Sequence, residues 1–268
     1  MDDCGPGTLN LKQLMKESPP TIEAAREIGE ALGSFLAAVH TKGSEDKELM
    51  EFTGTNERAK RLTAAVTYGG IRQTLVGEEK EASSAFDPPL DIASADLVDI
   101  DRIVEQRTEA IMGAETTYTM GDFWTGNIIV QISQGASGTG EEKQQRVERI
   151  FVVDWEVTKP GLAFLDVGQF VAEMHTLYRF HERTQESVES ALRAFFAAYK
   201  ANGVHVDEAF VRAALTHIGA HLVVITPWVG WSPKEILREV VLEGTEYLLQ
   251  ERREIEWVEK TVIGPLLS

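Results

Sequence analysis

One β-rich stretch, residues 116–160, lies between two long helical regions and restricts the fold more than any other feature. Within it, TTYTMGD and GNIIVQIS have strand composition, and VERIFVVDW has the composition of a buried strand. The segment QGASGTGEEKQQR (134–146) is rich in Gly and polar residues, as flexible connections are. The pattern predicts a small β-hairpin region in an α+β chain that is mostly α.

Helical periodicity dominates on both sides of this stretch. Apolar residues from Ile22 to Val39 follow helical spacing, and ERAKRLTAAVTYGGIRQTL reads as a second helix with a Gly-Gly break. A third helix is predicted over ADLVDIDRIVEQRTEAIMG, with Gly113 as its cap. Residues 42–55, 78–91 and 225–233 are predicted to be loops.

The absence of a linker or an internal repeat predicts a single domain over residues 1–268. We divide it into a hinge-like segment (1–17), a helical part (18–115), the β-hairpin region (116–160) and a C-terminal helical part (161–268).

Composition excludes several classes of function. The formal net charge of -17 argues against a nucleic-acid surface and against docking on anionic lipid. A single cysteine, Cys4, excludes an internal disulfide and a cysteine-based zinc site. We find no signal-peptide pattern at the N-terminus and no apolar run long enough for a membrane span. These features predict a cytoplasmic protein with neither nucleic-acid nor membrane partners.

Polar residues stand at the strand ends of the β-hairpin region. Asp122 and Asn127 lie in the loop MGDFWTGN before one strand, and Asp154 follows the other in FVVDWE. A hairpin would bring these ends together. Their oxygens suit Mg²⁺, which keeps water and phosphate as its other ligands. With a second carboxylate to accept a proton, the set suits phosphoryl transfer. The alternative is a side-chain-stabilised turn with no chemistry.

The spacing D-x-x-x-x-N is that of the kinase catalytic loop. With the downstream stretch VVDWEVTKPGLAFLDVGQF, the chain resembles the aminoglycoside phosphotransferase and choline kinase family, which has a protein-kinase-like fold. The resemblance extends over nearly the whole of this chain, which corresponds to the hinge and C-terminal lobe of that fold. It implies ATP as co-substrate, Mg²⁺, and a small molecule with a hydroxyl group as acceptor.

The resemblance also implies roles for individual residues. Asp122 would be the catalytic base, and Asn127 and Asp154 would hold Mg²⁺. Glu156 would add a second metal contact or touch the acceptor. Asp166 would brace the catalytic loop through backbone N–H groups.

The loop itself departs from the family pattern at one position. Met120 stands where the family has a histidine before Gly121, and a methionine cannot donate the hydrogen bond that the histidine makes. We expect Met120 to act as an apolar plug, so that Met120 and Gly121 support the loop.

Four tryptophans are candidates for the acceptor pocket, where aromatic faces can hold a cation. They are Trp124, Trp155, Trp228 and Trp231. Ordinary core packing is the alternative for each. His217 and His221 have the spacing of paired metal ligands, but no third ligand is near in sequence, and a place on a helix face is favoured.

The β-rich N-terminal lobe that clamps the nucleotide in the family is expected to be absent. No strand with the nucleotide-binding lysine is found, and GASGTG (135–140) does not fit a phosphate loop. The exposed lobe-facing surface then predicts a partner or self-association. Two functions compete: a small-molecule phosphotransferase, and a truncated or pseudokinase-like C-lobe that binds or regulates without turnover. A truncated gene product is a third interpretation.

Overall fold

The computed structural model describes residues 4–5, 7–54, 56–77, 86–134 and 145–267. Helices dominate it and surround two small antiparallel sheets. The helices are α1 (Leu11–Glu17), α2 (Ile22–Glu45), α3 (Lys47–Gly54), α4 (Glu57–Thr67), α5 (Ile71–Val76), α6 (Ser94–Met112), α7 (Ala163–Phe180), α8 (Gln185–Ala201), α9 (Glu208–Trp228), α10 (Lys234–Leu248) and α11 (Ile255–Val258). The strands are β1 (Thr8–Asn10), β2 (Thr117–Thr119), β3 (Ile128–Gln134), β4 (Gln145–Val152) and β5 (Lys159–Gly161).

The β-rich stretch forms two sheets rather than one hairpin. Strands β3 and β4 pair antiparallel, and β1 from the hinge-like segment adds to the free edge of β3. The TTYT strand, β2, pairs instead with β5, from Thr117↔Gly161 to Thr119↔Lys159. Both pairings bring the ends of β2, β3 and β4 to the same region. The segment 135–140, considered above as a phosphate loop, lies outside the described residues.

Helix α2 packs along α8 at very short range. A Cβ atom at Gly29 would lie 2.0 Å from the carbonyl oxygen of Ala191, and one at Gly33 would lie 2.3 Å from that of Phe195. Only glycine permits this approach. The two helices thereby enclose the main apolar core with α7 and α9, including Ile28, Phe170 and Ile218.

A second apolar cluster joins α4–α6 to α9 and α10. It includes Tyr68, Ile71, Ile103 and Val224, all of which are buried. The predicted break between helices α4 and α5 is present at Gly69-Gly70. The helix predicted to end at Gly113 ends at Met112, with the Gly113 N–H bonded to the carbonyl of Glu109.

Two loop predictions were wrong. Within 42–55, helix α2 runs on to Glu45, and α3 follows because the Asp46 carboxylate caps it by accepting from the Leu49 N–H. Within 225–233, α9 continues to Trp228, with Pro227 inside the helix one residue before its end. For the predicted loop 78–91, residues 78–85 lie outside the described residues, and residues 86–91 form no helix or strand.

Helix α9 has the length and composition of a membrane span, although it contains no unbroken apolar run of about 18 residues. Among the described residues, this is the one helix that meets both criteria. However, 78% of its most apolar stretch is buried inside the protein. Its packing against α7 and α10 is that of a core helix, a use of apolar helices that composition alone cannot distinguish.

Candidate active site

The loop between β2 and β3 carries the central group of the site. Asp122 accepts hydrogen bonds at Oδ2 from Asn127 Nδ2 (2.9 Å) and at Oδ1 from Gln169 Nε2 (2.8 Å). Burial raises the pKa of Asp122, these two hydrogen bonds oppose the rise, and the neighbouring carboxylates of Asp154 and Asp166 add to it. A fixed carboxylate with a raised pKa is suited to accept a proton from a hydroxyl group.

Asn127 and Asp154 present oxygen atoms beside this carboxylate. The Asn127 amide nitrogen is used by Asp122, and in the described part of the chain no donor bonds to the amide oxygen. The Val153 N–H donates to the Asn127 carbonyl (2.9 Å), which ties the end of β4 to the start of β3. Asp154 is exposed, and no hydrogen bond or ion pair joins its side chain to other described residues.

The backbone of Asp154 is strained. Its φ of 66° makes it the one non-glycine residue in the left-handed region among those the structure describes. Such strain persists where the surrounding structure imposes it, and it is common at ligand sites. Asp154 lies just past the end of β4, close enough to Asp122 for their charges to interact. Two free hard-oxygen donors, one amide and one carboxylate, fit Mg²⁺.

Asp166, in the first turn of α7, supports the loop from behind. Its carboxylate accepts from the Met120 N–H (2.9 Å) and the Gly121 N–H (2.8 Å). His40 of α2 lies 3.1 Å from the same carboxylate, and its other ring nitrogen lies 2.7 Å from the Tyr199 hydroxyl. Burial favours a higher pKa for Asp166, but the hydrogen bond and charge of His40, the charge of Lys159 and the Gly121 N–H together hold that pKa below its ordinary value.

His40 was missed by sequence reasoning, which looked for the histidine in the loop itself. Met120, at that loop position, is fully buried in the main apolar core. His40, from a helix far away in sequence, therefore contacts Asp166, which supports the loop, while Met120 fills space in the core. The signal available in the sequence was a polar residue among the apolar positions of α2.

A cavity of about 380 Å³ opens beside the loop. Its volume lies within the range of small-molecule sites. The polar residues that line it are Thr63, Thr67, Asp122, Glu156, Lys159, Asp166, Gln169, Glu173, His217 and His221. Apolar side chains supply much of the remaining lining, namely Leu62, Val66, Trp124, Leu165, Ile225 and Val229. Glu156, predicted to contact the metal or the acceptor, lines the cavity and is exposed, whereas Asp154 does not line it.

Glu173 organises the buried polar groups behind Trp124. It accepts from Lys12 Nζ (3.1 Å) and Thr125 Oγ1 (3.2 Å) at one oxygen, and lies 3.1 Å from His221 Nε2 at the other. Burial alone would raise the pKa of Glu173, but the interactions with His221 and Lys12 lower it to about 2. This network, unforeseen from sequence, connects α1, α7 and α9 to the loop between β2 and β3.

The cation held by tryptophans in the structure is a lysine of the protein itself. Lys12 Nζ lies 5.2 Å from the ring centre of Trp124 and 4.9 Å from that of Trp231. Trp155 stacks on Tyr118, donates to the Val152 carbonyl and does not line the cavity. Trp228 is 65% exposed. Of the four candidates for the acceptor pocket, the structure brings only Trp124 to this cavity.

His217 and His221 do not form a metal site with other described residues. The structure has no group of three or more His, Cys, Asp or Glu side chains that could hold a metal in its described ranges. His217 lies 3.0 Å from the Tyr68 hydroxyl, and burial lowers its pKa to about 3, so it is neutral. Both histidines are satisfied core residues.

Gly121 is required by two separate constraints, and a variant can separate them. Its φ is +81°, and a Cβ there would lie 2.3 Å from Lys159 Nζ and 2.5 Å from the Val157 carbonyl oxygen. Gly203 has a similar φ of +86° with no atom within 4 Å of such a Cβ. Gly121→Ala is therefore expected to lower the free energy of unfolding by about 1–3 kcal/mol more than Gly203→Ala does. Denaturant unfolding of both variants measures this; equal losses would contradict the close contact.

Comparisons with known proteins point to kinases. No model of a known protein family matches the chain. The chain is 29% identical over 247 residues to a 4-hydroxytryptamine kinase of Psilocybe cyanescens, and 28% identical over 249 residues to one of Psilocybe cubensis. These alignments cover 92% and 91% of this chain but 61% and 60% of the relatives, so the chain spans about three fifths of their length. Both of these relatives are named as kinases of a small molecule.

Proposed function

We propose that this protein transfers the γ-phosphate of ATP to a hydroxyl group of a small aromatic amine. The observation that carries the proposal is the placement of Asp122. Its carboxylate lines the cavity and is fixed by Asn127 and Gln169. The charge of Asp154 reaches it from the adjoining strand end. This is the arrangement that phosphoryl transfer to a hydroxyl requires.

The fold class goes with this proposal. We infer that the chain forms the C-terminal lobe of a kinase-like fold of the aminoglycoside phosphotransferase and choline kinase type. Support comes from the order of the functional residues along the chain: a D-x-x-x-x-N loop, a strand that ends before Asp154, and Asp166 opening a helix that braces the loop. Mg²⁺ held by Asn127 and Asp154 would neutralise charge on the nucleotide phosphates.

The class of acceptor is inferred from the cavity and the relatives. The names of both relatives specify 4-hydroxytryptamine, which has an indole ring, a hydroxyl group and an amine. Here Leu62, Val66 and Ile225 offer apolar contact for a ring, and the exposed carboxylate of Glu156 is available for an ammonium group. Asp122 would then take the proton of the hydroxyl as the oxygen attacks phosphorus.

A transfer assay tests the proposal. The purified chain is incubated with Mg²⁺ and ATP labelled in the γ-phosphate, together with 4-hydroxytryptamine. Tryptamine, which lacks the hydroxyl group, serves as the matched control, and choline and an aminoglycoside test the other acceptor classes. We expect labelled product from 4-hydroxytryptamine and none from tryptamine.

Other outcomes would change the conclusion. Transfer to choline or the aminoglycoside alone would replace the acceptor class. Binding of 4-hydroxytryptamine or Mg·ATP in calorimetry without any transfer would favour a pseudokinase-like module that binds without turnover.

A further inference from the structure

Lys159 is a buried cation beside the catalytic loop. It begins β5, and its side chain is among the largest in the protein with less than 2% exposure. The pairing of Thr119 with Lys159 places it next to the loop that follows β2. Its Nζ lies against Gly121, and the residue lines the same cavity as Asp122 and Asp166.

The ammonium group is poorly satisfied where it lies. It can donate three hydrogen bonds. In the described part of the chain it makes one, to the Val157 carbonyl at 3.3 Å, and no ion pair. The nearby carboxylate oxygens accept from other groups: Asp122 from Gln169 and Asn127, and Asp166 from the loop N–H groups.

This arrangement is costly unless an anion binds there. Burial lowers the pKa of Lys159, and the charges of Asp166 and Asp122 partly offset that effect. A methionine or leucine would fill the same volume without a desolvation penalty. An ammonium group with two unused donors, on a residue that lines the cavity beside Asp122, suits a ligand with negatively charged oxygens.

Other cations near the loop are already occupied. Lys12 is paired with Glu173 and packed between two tryptophans. Lys60 bonds to the Met112 carbonyl and does not line the cavity. Among the lysines and arginines that the structure describes, Lys159 is the one that lines it.

We propose that Lys159 Nζ binds the phosphoryl group as it passes to the acceptor oxygen, an inference that rests on the proposed phosphotransfer. In that step the acceptor oxygen forms a bond to the γ-phosphorus, the bond from that phosphorus to the ADP oxygen breaks, and the hydroxyl proton moves to Asp122. Lys159 keeps its protons and donates hydrogen bonds to phosphoryl oxygens. The ammonium thereby stabilises negative charge where it develops.

The test compares Lys159→Met with a surface control, Lys234→Met, on the exposed start of α10. Calorimetry measures the affinity of each protein for 4-hydroxytryptamine and for its O-phosphate ester. For Lys159→Met we expect affinity for the ester to fall about 10- to 100-fold, the range of a lost charge-assisted hydrogen bond. Affinity for the unphosphorylated amine should change less than about threefold, and kcat should fall with the ester affinity while the KM for acceptor stays nearly constant.

The outcomes separate this inference from the proposed function. If the wild-type protein transfers phosphate and the Lys159→Met variant has the same kcat and ester affinity, the role of Lys159 is overturned and the proposed function stands. If the wild-type protein transfers no phosphate but binds the ester, and the Lys159→Met variant loses that affinity, the proposed transfer is overturned and the binding of a phosphoryl group by Lys159 is supported. Equal loss of affinity for amine and ester would show a structural role only, and a wild type that neither transfers nor binds the ester overturns both. If Lys159→Met does not fold, Lys159→Gln is measured in its place.

Discussion

An Asp122→Asn variant is expected to lose about 100- to 10,000-fold in kcat while it still binds Mg·ATP, because general-base catalysis supplies a factor of that size. The amide has nearly the shape of the carboxylate and can still accept a hydrogen bond from Asn127 or Gln169. It cannot take the proton of the acceptor hydroxyl. The loss should therefore appear in kcat rather than in either KM.

Steady-state kinetics and calorimetry with Mg·ATP measure this separation. Asp91→Asn, on the exposed surface, is the matched control and should behave as wild type. Asp154→Ala should show the opposite division, with weaker Mg·ATP binding, since we assign that carboxylate to the metal. If Asp122→Asn retained more than about a tenth of the wild-type kcat, Asp122 would not be the base.

The grouping of Asp122, Asn127 and Asp154 could be predicted because it depends on local rules. Polar residues at the ends of paired strands meet, and the register Ile128↔Val152 brings those ends together. Neighbouring motifs along the chain sufficed for that prediction, although the β-rich stretch forms two sheets and β2 pairs with β5. Their catalytic roles stay predictions.

The buried polar partners could not be predicted, because each depends on a contact between distant parts of the chain. Glu173 meets Lys12 across 161 positions, and His40 meets Asp166 across 126. Lys159 stands in the sequence VTKPG, which has the composition of a solvated turn. It is buried only because β5 pairs with β2, a pairing that no local pattern indicated.

The tryptophans illustrate the same limit in another way. Aromatic residues near a catalytic motif suggested a pocket for a substrate cation, and Trp124 and Trp231 do flank a cation. That cation is Lys12, which a sequence pattern could not place between them, since α1 reaches the site only in the folded chain. Composition predicts the type of contact but not its partner.

Asp166→Asn is expected to lower the free energy of unfolding by about 3–5 kcal/mol, the cost of breaking a buried charged pair by removing one partner. The aspartate accepts from the N–H groups of Met120 and Gly121 and contacts His40. An amide places an N–H₂ group against at least one of these donors. Asp101→Asn, which removes an exposed ion pair with Arg72, is the matched control and should cost about 1 kcal/mol or less.

Acid titration of the same variants distinguishes the charge of Asp166 from its shape. Because the pKa of Asp166 is held below its unfolded value of 3.8, its contribution is present above that pH and is lost as the pH falls further. The difference in unfolding free energy between wild type and Asp166→Asn should therefore be constant near neutrality and shrink below about pH 4. Denaturant unfolding at pH 7, 5 and 3 measures it. A difference that did not change with pH would mean that packing around the side chain, rather than a buried carboxylate with two backbone donors, holds the catalytic loop in place.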